Sequence, residues 1–257
     1  MKAFFLDVVR IITYYPRIFL DLALYKIYFK QKNNWEILEP YFNKPALIVG
    51  NGPSLNKTPL DKINKSFVSI GMNKINLIYK SSTWRPDIIA CVNGLVIRQN
   101  KAYFNQTDKV LIVPIKAFYL GIKPRKNVLF VNFKNDEIMR SNIKDCLSSG
   151  CTVTFTALQI AAYLNSKSVN IVGVDHSFVV DKGKDHDIKK FEGDDVNHFS
   201  KDYFKDQYWG VPNLDGSERL YLLSREYFDS KNVPIKDYTV NGNLTIFKKG
   251  NIEELTS

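Results

Sequence analysis

An α/β fold, a mostly parallel sheet flanked by helices, is predicted by three observations. Apolar runs of four to six residues, rich in Val and Ile and free of charge, recur at 45–49, 67–70, 88–92, 110–113, 128–131 and 169–174. They do not alternate with polar residues, as expected of strands buried on both faces. Stretches that read as helix separate several of them, the clearest at 154–164, which is the signature of parallel strands joined by crossovers. The chain therefore reads as one Rossmann-like, nucleotide-binding unit over 41–257, preceded by a helical segment over 1–40.

The elements follow in order. Residues 3–29 are rich in Phe, Leu, Ile, Val and Tyr, but Asp7, Arg10, Arg17, Asp21 and Lys26 interrupt them. No uncharged run approaches the roughly 18 residues a spanning helix needs. Neither is there an apolar core followed by a small-residue cleavage site. On a helical projection Phe4, Phe5, Val8, Ile11, Ile12, Tyr15, Ile18 and Phe19 share a side away from Lys2, Asp7, Arg10, Arg17 and Asp21. Pro16 divides this amphipathic stretch into two helical pieces. Its apolar face has two open destinations. One is the headgroup region of an anionic membrane, with Arg10, Arg17, Lys26, Lys30 and Lys32 facing lipid. The other is protein, either its own domain or a second subunit of a homo-oligomer.

After a polar break at 30–34 the strands begin. The last of the six apolar runs ends at Asp175, and the next 40 residues, 176–215, break the pattern. They hold all three histidines, many acids and several aromatics, which marks a lid or substrate loop. A helix is expected over 215–230, with Ser217 near its start and Leu220, Leu223 and Tyr227 inward. Residues 240–247 close the chain, with a turn at Asn241-Gly242.

Composition narrows the function classes. With 257 residues, 45% hydrophobic and 24% charged, the chain is globular rather than disordered. Cys91, Cys146 and Cys151 lack the number for a disulfide framework and the spacing of a zinc site. The net charge of +10 points to an anionic partner. The lysines are scattered without a basic block, which argues against nucleic acid.

In open parallel sheets ligands bind at the carboxyl ends of strands. There the sequence places Asn51, Asn73, Asn93 and Asp175. The first turn, Gly50-Asn51-Gly52-Pro53-Ser54, has two glycines where backbone must approach a ligand closely, and Ser54 is expected to offer its hydroxyl and amide to phosphate. It is neither the three-glycine dinucleotide fingerprint nor a P-loop. A carboxamide both donates and accepts, which suits a base edge or ribose hydroxyls. A second cluster, with Ser149, Gly150, Thr152 and Thr154, precedes a helix and can hold an anion at its start or simply cap it.

These residues carry a resemblance. The run ALIVGNGPSL, with Asn73 in SIGMN and Asn93 in ACVNG, resembles the amino half of the bacterial sialyltransferases of glycosyltransferase family 42, whose matching asparagines contact the nucleotide of a CMP-sugar donor. The stretch from SSGCTVTFTAL to VNIVGVDHSF, then GDDVNHF, PNLDGSER and NGNL, resembles the DUF115, or 6-hydroxymethylpterin diphosphokinase MptE-like, family, related in fold. The chain departs from family 42 in two places. His176 and Ser177 follow Asp175 without a nearby tyrosine, and residues 209–212 hold no histidine where the general base would fall.

His198 is the nearest substitute for that base, and His176 the competing one, as base toward an acceptor hydroxyl or donor to the leaving phosphate. Asp175 ends a strand beside them. His186 reads as solvated. Arg219, near the start of the 215–230 helix, is placed to reach a phosphate or to form an ion pair. The expected reaction is transfer of a sugar from a CMP-sugar to a hydroxyl of a surface glycan or its lipid-linked precursor, with no cofactor, on the inner face of the cytoplasmic membrane. The alternatives are a diphosphokinase of a hydroxymethylpterin-like alcohol, with Mg²⁺ on Asp175, Asp194 and Asp195, and a non-catalytic nucleotide-binding module.

Overall fold

The computed structural model describes residues 16–178 and 188–256. A helix over 16–32, α1, leads in and contains a π-helical stretch, Tyr25–Phe29. There follow β1 (Ala46–Val49), β2 (Val68–Met72), β3 (Ile88–Ala90), α2 (Gly94–Gln99), α3 (Lys101–Phe104), β4 (Val110–Pro114), α4 (Lys116–Tyr119) and β5 (Val128–Val131). A small ribbon of β6 (Phe133–Lys134) and β7 (Leu147–Ser148) precedes α5 (Val153–Tyr163) and β8 (Val169–Val172). The chain ends with β9 (Ile188–Lys190), β10 (Tyr208–Gly210), α6 (Leu214–Ser230), β11 (Ile235–Asp237) and β12 (Lys248–Lys249).

Eight strands form one all-parallel sheet in the order β12-β11-β8-β1-β2-β3-β4-β5. The α/β expectation is met, and every residue of β1, β2, β3, β4, β5 and β8 is buried. Strand alternation sorts these side chains onto two faces. Leu47, Val49, Leu111, Val113 and Phe130 pack with Tyr25 and Phe29 of α1. Ala46, Ile48, Ile112 and Leu129 pack under α5 and Phe228 of α6. Between sheet and α6, α5 is buried from Thr154 through Ala161. Outside it, α6 buries a stripe of Leu220, Tyr221, Ser224 and Phe228, while Leu223 and Tyr227 sit half-buried at its border.

Three points refine the sequence reading. Of the two destinations open to the N-terminal apolar stretch, residues from 25 onward take the protein one, packing on their own domain. Phe29 is 1% exposed and stacks on Phe130 at 4.4 Å, and Asn33 exchanges hydrogen bonds of 2.9 and 3.0 Å with the Phe130 backbone. Pro16 is the first described residue of α1. The helical piece expected before it lies outside the described residues. Residues 240–247 carry the expected turn, the Gly242 N–H donating to the Thr239 carbonyl at 3.2 Å, with Leu244 and Phe247 buried as loop plugs, and the edge of the sheet is built from β11 and β12. Finally, the lid is packed rather than loose. It carries the antiparallel pair β9–β10, and Phe199, Tyr203, Phe204 and Trp209 enter the same core cluster as Phe29. Residues 179–187, and His186 with them, lie outside the described residues.

The burial of Phe29 generates a test. Phe29→Ala is expected to lower stability by about 3–5 kcal/mol in urea unfolding, with the m-value unchanged. A loss under about 1 kcal/mol would show that α1 adds nothing to the core.

Candidate functional site

The strand order runs outward from β1 in both directions, so the crevice typical of ligand sites lies outside the carboxyl ends of β1 and its neighbours β8 and β2. Four segments meet there: Gly50–Ser54 after β1, Asn73 after β2, Asn93 after β3, and Gly173–His176 after β8.

The first and last of these are pressed together. A Cβ at Gly50 would lie 2.2 Å from the Gly173 carbonyl oxygen, and one at Gly52 would lie 1.8 Å from Oδ2 of Asp175. The Gly52 N–H donates to the Gly173 carbonyl at 2.8 Å. Ser54 donates its amide to Asp175 Oδ1 at 3.0 Å and its hydroxyl to Oδ2 at 2.7 Å. The glycines therefore admit protein backbone and a carboxylate. Ser54 is not offering two free donors to phosphate, because Asp175 already holds both, and Pro53 opens a 3₁₀ turn, Pro53–Lys57. Burial raises the Asp175 carboxyl above its usual range, against the lowering effect of the Ser54 bonds.

The asparagines differ among themselves. The Asn51 amide nitrogen donates to the Met72 carbonyl at 3.1 Å, while its side-chain oxygen is buried without a partner. Asn73 adopts φ +52°, a left-handed conformation that asparagine tolerates. Its side-chain oxygen is also buried and unpartnered. Asn93 is spent locally: its oxygen caps α2 by accepting the Leu95 N–H at 2.9 Å. Gln99 adds a third orphaned oxygen, its amide nitrogen being held by the Tyr208 carbonyl at 2.8 Å. A buried acceptor without a donor costs about 1–3 kcal/mol, so such groups call for an N–H or O–H from a ligand or an ordered water.

The lid closes over these ends. The Phe199 N–H donates to the Asn51 carbonyl at 3.0 Å, and Asn56 donates to the Phe199 carbonyl at 2.8 Å. The Lys74 ammonium, on a residue 5% exposed, donates to the Tyr203 carbonyl at 2.5 Å and to Gln207 Oε1 at 2.8 Å, and lies 4.6 Å above the Phe204 ring. Desolvation lowers the Lys74 pKa to about 8. His198 stacks on Tyr203 with centroids 4.0 Å apart and planes 5° from parallel. Its Nδ1 lies 2.9 Å from Oδ2 of Asp195, a fully buried carboxylate whose other oxygen accepts the Asn197 N–H at 2.8 Å. This pairing holds the ring with Nδ1 toward the acid, leaving Nε2 as the nitrogen that can take a proton.

His176 is directed elsewhere. At φ +53° it places Nε2 2.8 Å from Glu218 Oε1 in the second turn of α6. Around α5, Gly150 adopts φ +53° and Thr152 caps the helix through the Thr154 N–H at 3.2 Å. Ser149 donates its amide to the Lys134 carbonyl at 2.9 Å and its hydroxyl to that carbonyl at 3.3 Å and to Asn135 Oδ1 at 3.4 Å. Arg219 forms an exposed ion pair with Glu137 at 3.0 Å, the ion-pair alternative of the two readings. The three acids expected to share Mg²⁺ do not assemble. Asp175 holds Ser54, Asp195 holds His198, and Asp194 pairs on the surface with Lys201 and Lys205 at 3.4 and 3.0 Å. Among the described residues no group of three His, Cys, Asp or Glu side chains is placed to hold a metal. Sequence reasoning missed Asp195 as the partner of His198, although the spacing Asp195-x-x-His198 was visible, and missed Lys74, which no local signal separates from the other lysines.

Comparison with known proteins adds the family. The profile of the family described as 6-hydroxymethylpterin diphosphokinase MptE-like matches residues 23–181, more than half of the chain. The chain belongs to the MptE-like family. The match begins inside α1, just before Tyr25 and Phe29, and ends before Asp195 and His198. In this MptE-like protein the β1–β8 crevice thus lies in the family's shared region, which ends a few residues into the lid, and the rest of the lid and α6 lie beyond it. No curated protein sequence matches the chain. Two solved structures of the sialyltransferase CstII from Campylobacter jejuni are similar to it at 12% identity. One, with CMP-3FNeuAc, has a TM-score of 0.44 and covers 81% of this chain and 87% of that one. The other, with cytidine-5'-monophosphate, has a TM-score of 0.43 and covers 81% and 85%.

Lys74 gives this site a measurable signature. In the folded chain its proton leaves near pH 8, whereas an unfolded lysine keeps it to about 10.4. The unfolded state binds more protons between those values, so this group makes stability rise with pH across that window. Lys74→Met is expected to abolish that rise in denaturant titrations at pH 7.5 to 10.5. An unchanged slope would mean the amine is not buried beneath the lid.

Proposed function

We propose that the protein is a transferase that moves a group from a nucleotide-activated donor to an acceptor hydroxyl and releases a nucleoside 5'-monophosphate. The donor we favour is a CMP-sugar, and the acceptor a hydroxyl of a surface glycan or its lipid-linked precursor. The observation that carries this reading is the pair of buried, unpartnered oxygens of Asn51 and Asn73 at adjacent strand ends beneath the lid. Two acceptors lacking donors suit a ribose hydroxyl and an exocyclic amino group.

The chemistry follows from the lid. The acceptor O–H gives its proton to Nε2 of His198, the acceptor oxygen bonds to the anomeric carbon, and the carbon–oxygen bond to the phosphate breaks with its electrons leaving on the nucleotide. Asp195 stabilises the imidazolium through Nδ1–H. The amide dipoles at the start of α5 favour negative charge on the departing phosphate.

The family match supports a second reading, in which ATP donates a diphosphoryl group to the hydroxymethyl of a pterin-like alcohol and leaves as AMP. The base and the leaving monophosphate are then the same, while the donor changes. Because the described carboxylates do not fit a shared Mg²⁺, no step is assigned to the metal.

Thermal shifts with CMP, AMP, CDP, UDP and ATP, each with and without Mg²⁺, separate the two, since a ligand of the native state raises its melting point. Stabilisation by CMP without metal supports the favoured donor, and stabilisation by Mg-ATP and AMP alone would replace it. Asn51→Ala and Asn73→Ala are each expected to weaken nucleotide binding by about 1–3 kcal/mol in calorimetry. Unchanged affinity in both would remove the nucleotide from this crevice. His198→Ala is expected to lower kcat about 10²- to 10⁴-fold at nearly constant nucleotide affinity. Asp195→Asn should lower kcat through loss of the contact that orients the His198 ring, and full activity in either variant would assign the base elsewhere.

A further inference from the structure

We propose that the carboxyl edge of the sheet rests on an anionic lipid surface through α1 and α4. This inference stands on exposed surface alone and does not depend on the proposed reaction. Of the eleven exposed large apolar side chains among the described residues, seven belong to these two helices. Phe19, Leu20 and Ile27 are 60–76% exposed, and Tyr28, Phe118 and Tyr119 are 40–57% exposed. They form one patch, since Phe29 lies beneath both helices with ring centroids 5.0 Å from Tyr28 and 5.5 Å from Phe118. On its opposite side α1 is held to the core by Tyr25 and Phe29, so the outward face is presented by a fixed element.

The charges around the patch choose its occupant. Arg17, Lys26, Lys30 and Lys32 on α1 are all exposed, Lys30 sharing its charge with Asp145 at 3.3 Å. The only acid in 16–32 is Asp21, which is half-buried and whose pKa burial raises. A second copy of the chain fits poorly, because a two-fold interface would set this cationic face against itself. An anionic bilayer instead satisfies both components, apolar side chains in the headgroup boundary and cations at phosphates. No helix among the described residues is long and apolar enough to cross a membrane, so the contact is peripheral. Placement adds a consequence: α4 begins two residues after β4 ends at Pro114, at the same edge of the sheet as Asn51, Asn73 and Asn93. Lipid contact therefore brings the candidate crevice to the bilayer side, where a lipid-linked substrate would lie.

The test is flotation of the full chain with vesicles of phosphatidylcholine alone and of phosphatidylcholine with phosphatidylglycerol. Binding to the anionic vesicles is expected to exceed binding to the neutral ones by about tenfold or more and to fall at high salt. The double variant Phe19→Glu/Ile27→Glu should lose about tenfold or more of it, and Arg17→Glu/Lys26→Glu a similar factor, both with unchanged melting points. Absence of anionic binding, or its retention in the Phe19→Glu/Ile27→Glu variant, overturns the proposal. So does a wild-type dimer that this variant converts to monomer without any vesicle binding, which would assign the patch to a second copy.

Discussion

The carboxylate of Asp175 accepts both the amide and the hydroxyl of Ser54, and those two bonds fasten the loop after β1 to the loop after β8. Much of the site depends on this junction. Because Gly50 and Gly52 have no side chains, the loops can touch backbone to backbone, and Asn51 between them is left at the point where the strand order reverses. Its main-chain carbonyl then anchors the lid through Phe199, and its side chain bridges to the end of β2. Stability and site geometry share one set of contacts, so a change that loosens Asp175 displaces the lid as well.

The lid adds the chemistry that the sheet lacks. A sheet edge supplies amides, carboxamides and close backbone approach, which recognise a ligand but move no proton. The pair to which the proposed proton transfer is assigned, His198 and Asp195, comes from a segment with little regular structure, held down by the stacking of His198 on Tyr203 and by the Lys74 amine under the Tyr203 carbonyl. The family match covers the strand ends of the crevice and stops at residue 181, a few residues into the lid. In the proposed reading the strand ends hold the nucleotide, and the acceptor side rests on a loop that can vary.

Much of the fold was legible because buried parallel strands write themselves as uninterrupted apolar runs, and β5 was placed to the residue at 128–131. Strand β11, Ile-Lys-Asp, was not, since its burial comes from tertiary contacts, including Asp237 paired with Lys249 at 2.7 Å. In the site, Asn51 and Asn73 were singled out for the property that now distinguishes them, a carboxamide at a strand end. Asn93 carried the same signal and is a helix cap, because asparagine serves both purposes and only geometry separates them. The glycines of the first turn were read as room for a ligand. They are room for Gly173 and Asp175, which a sequence cannot say, since the approaching atoms lie about 120 residues away in the chain.

The central claim is that the Asn51 and Asn73 oxygens await the donors of a nucleotide. A crystal structure of the full chain with CMP or AMP bound tests it most directly. The account predicts a ribose or base N–H or O–H within about 3.2 Å of both oxygens, with the phosphate toward the start of α5. A nucleotide bound elsewhere, with these two oxygens satisfied by water or by the protein itself, would contradict it.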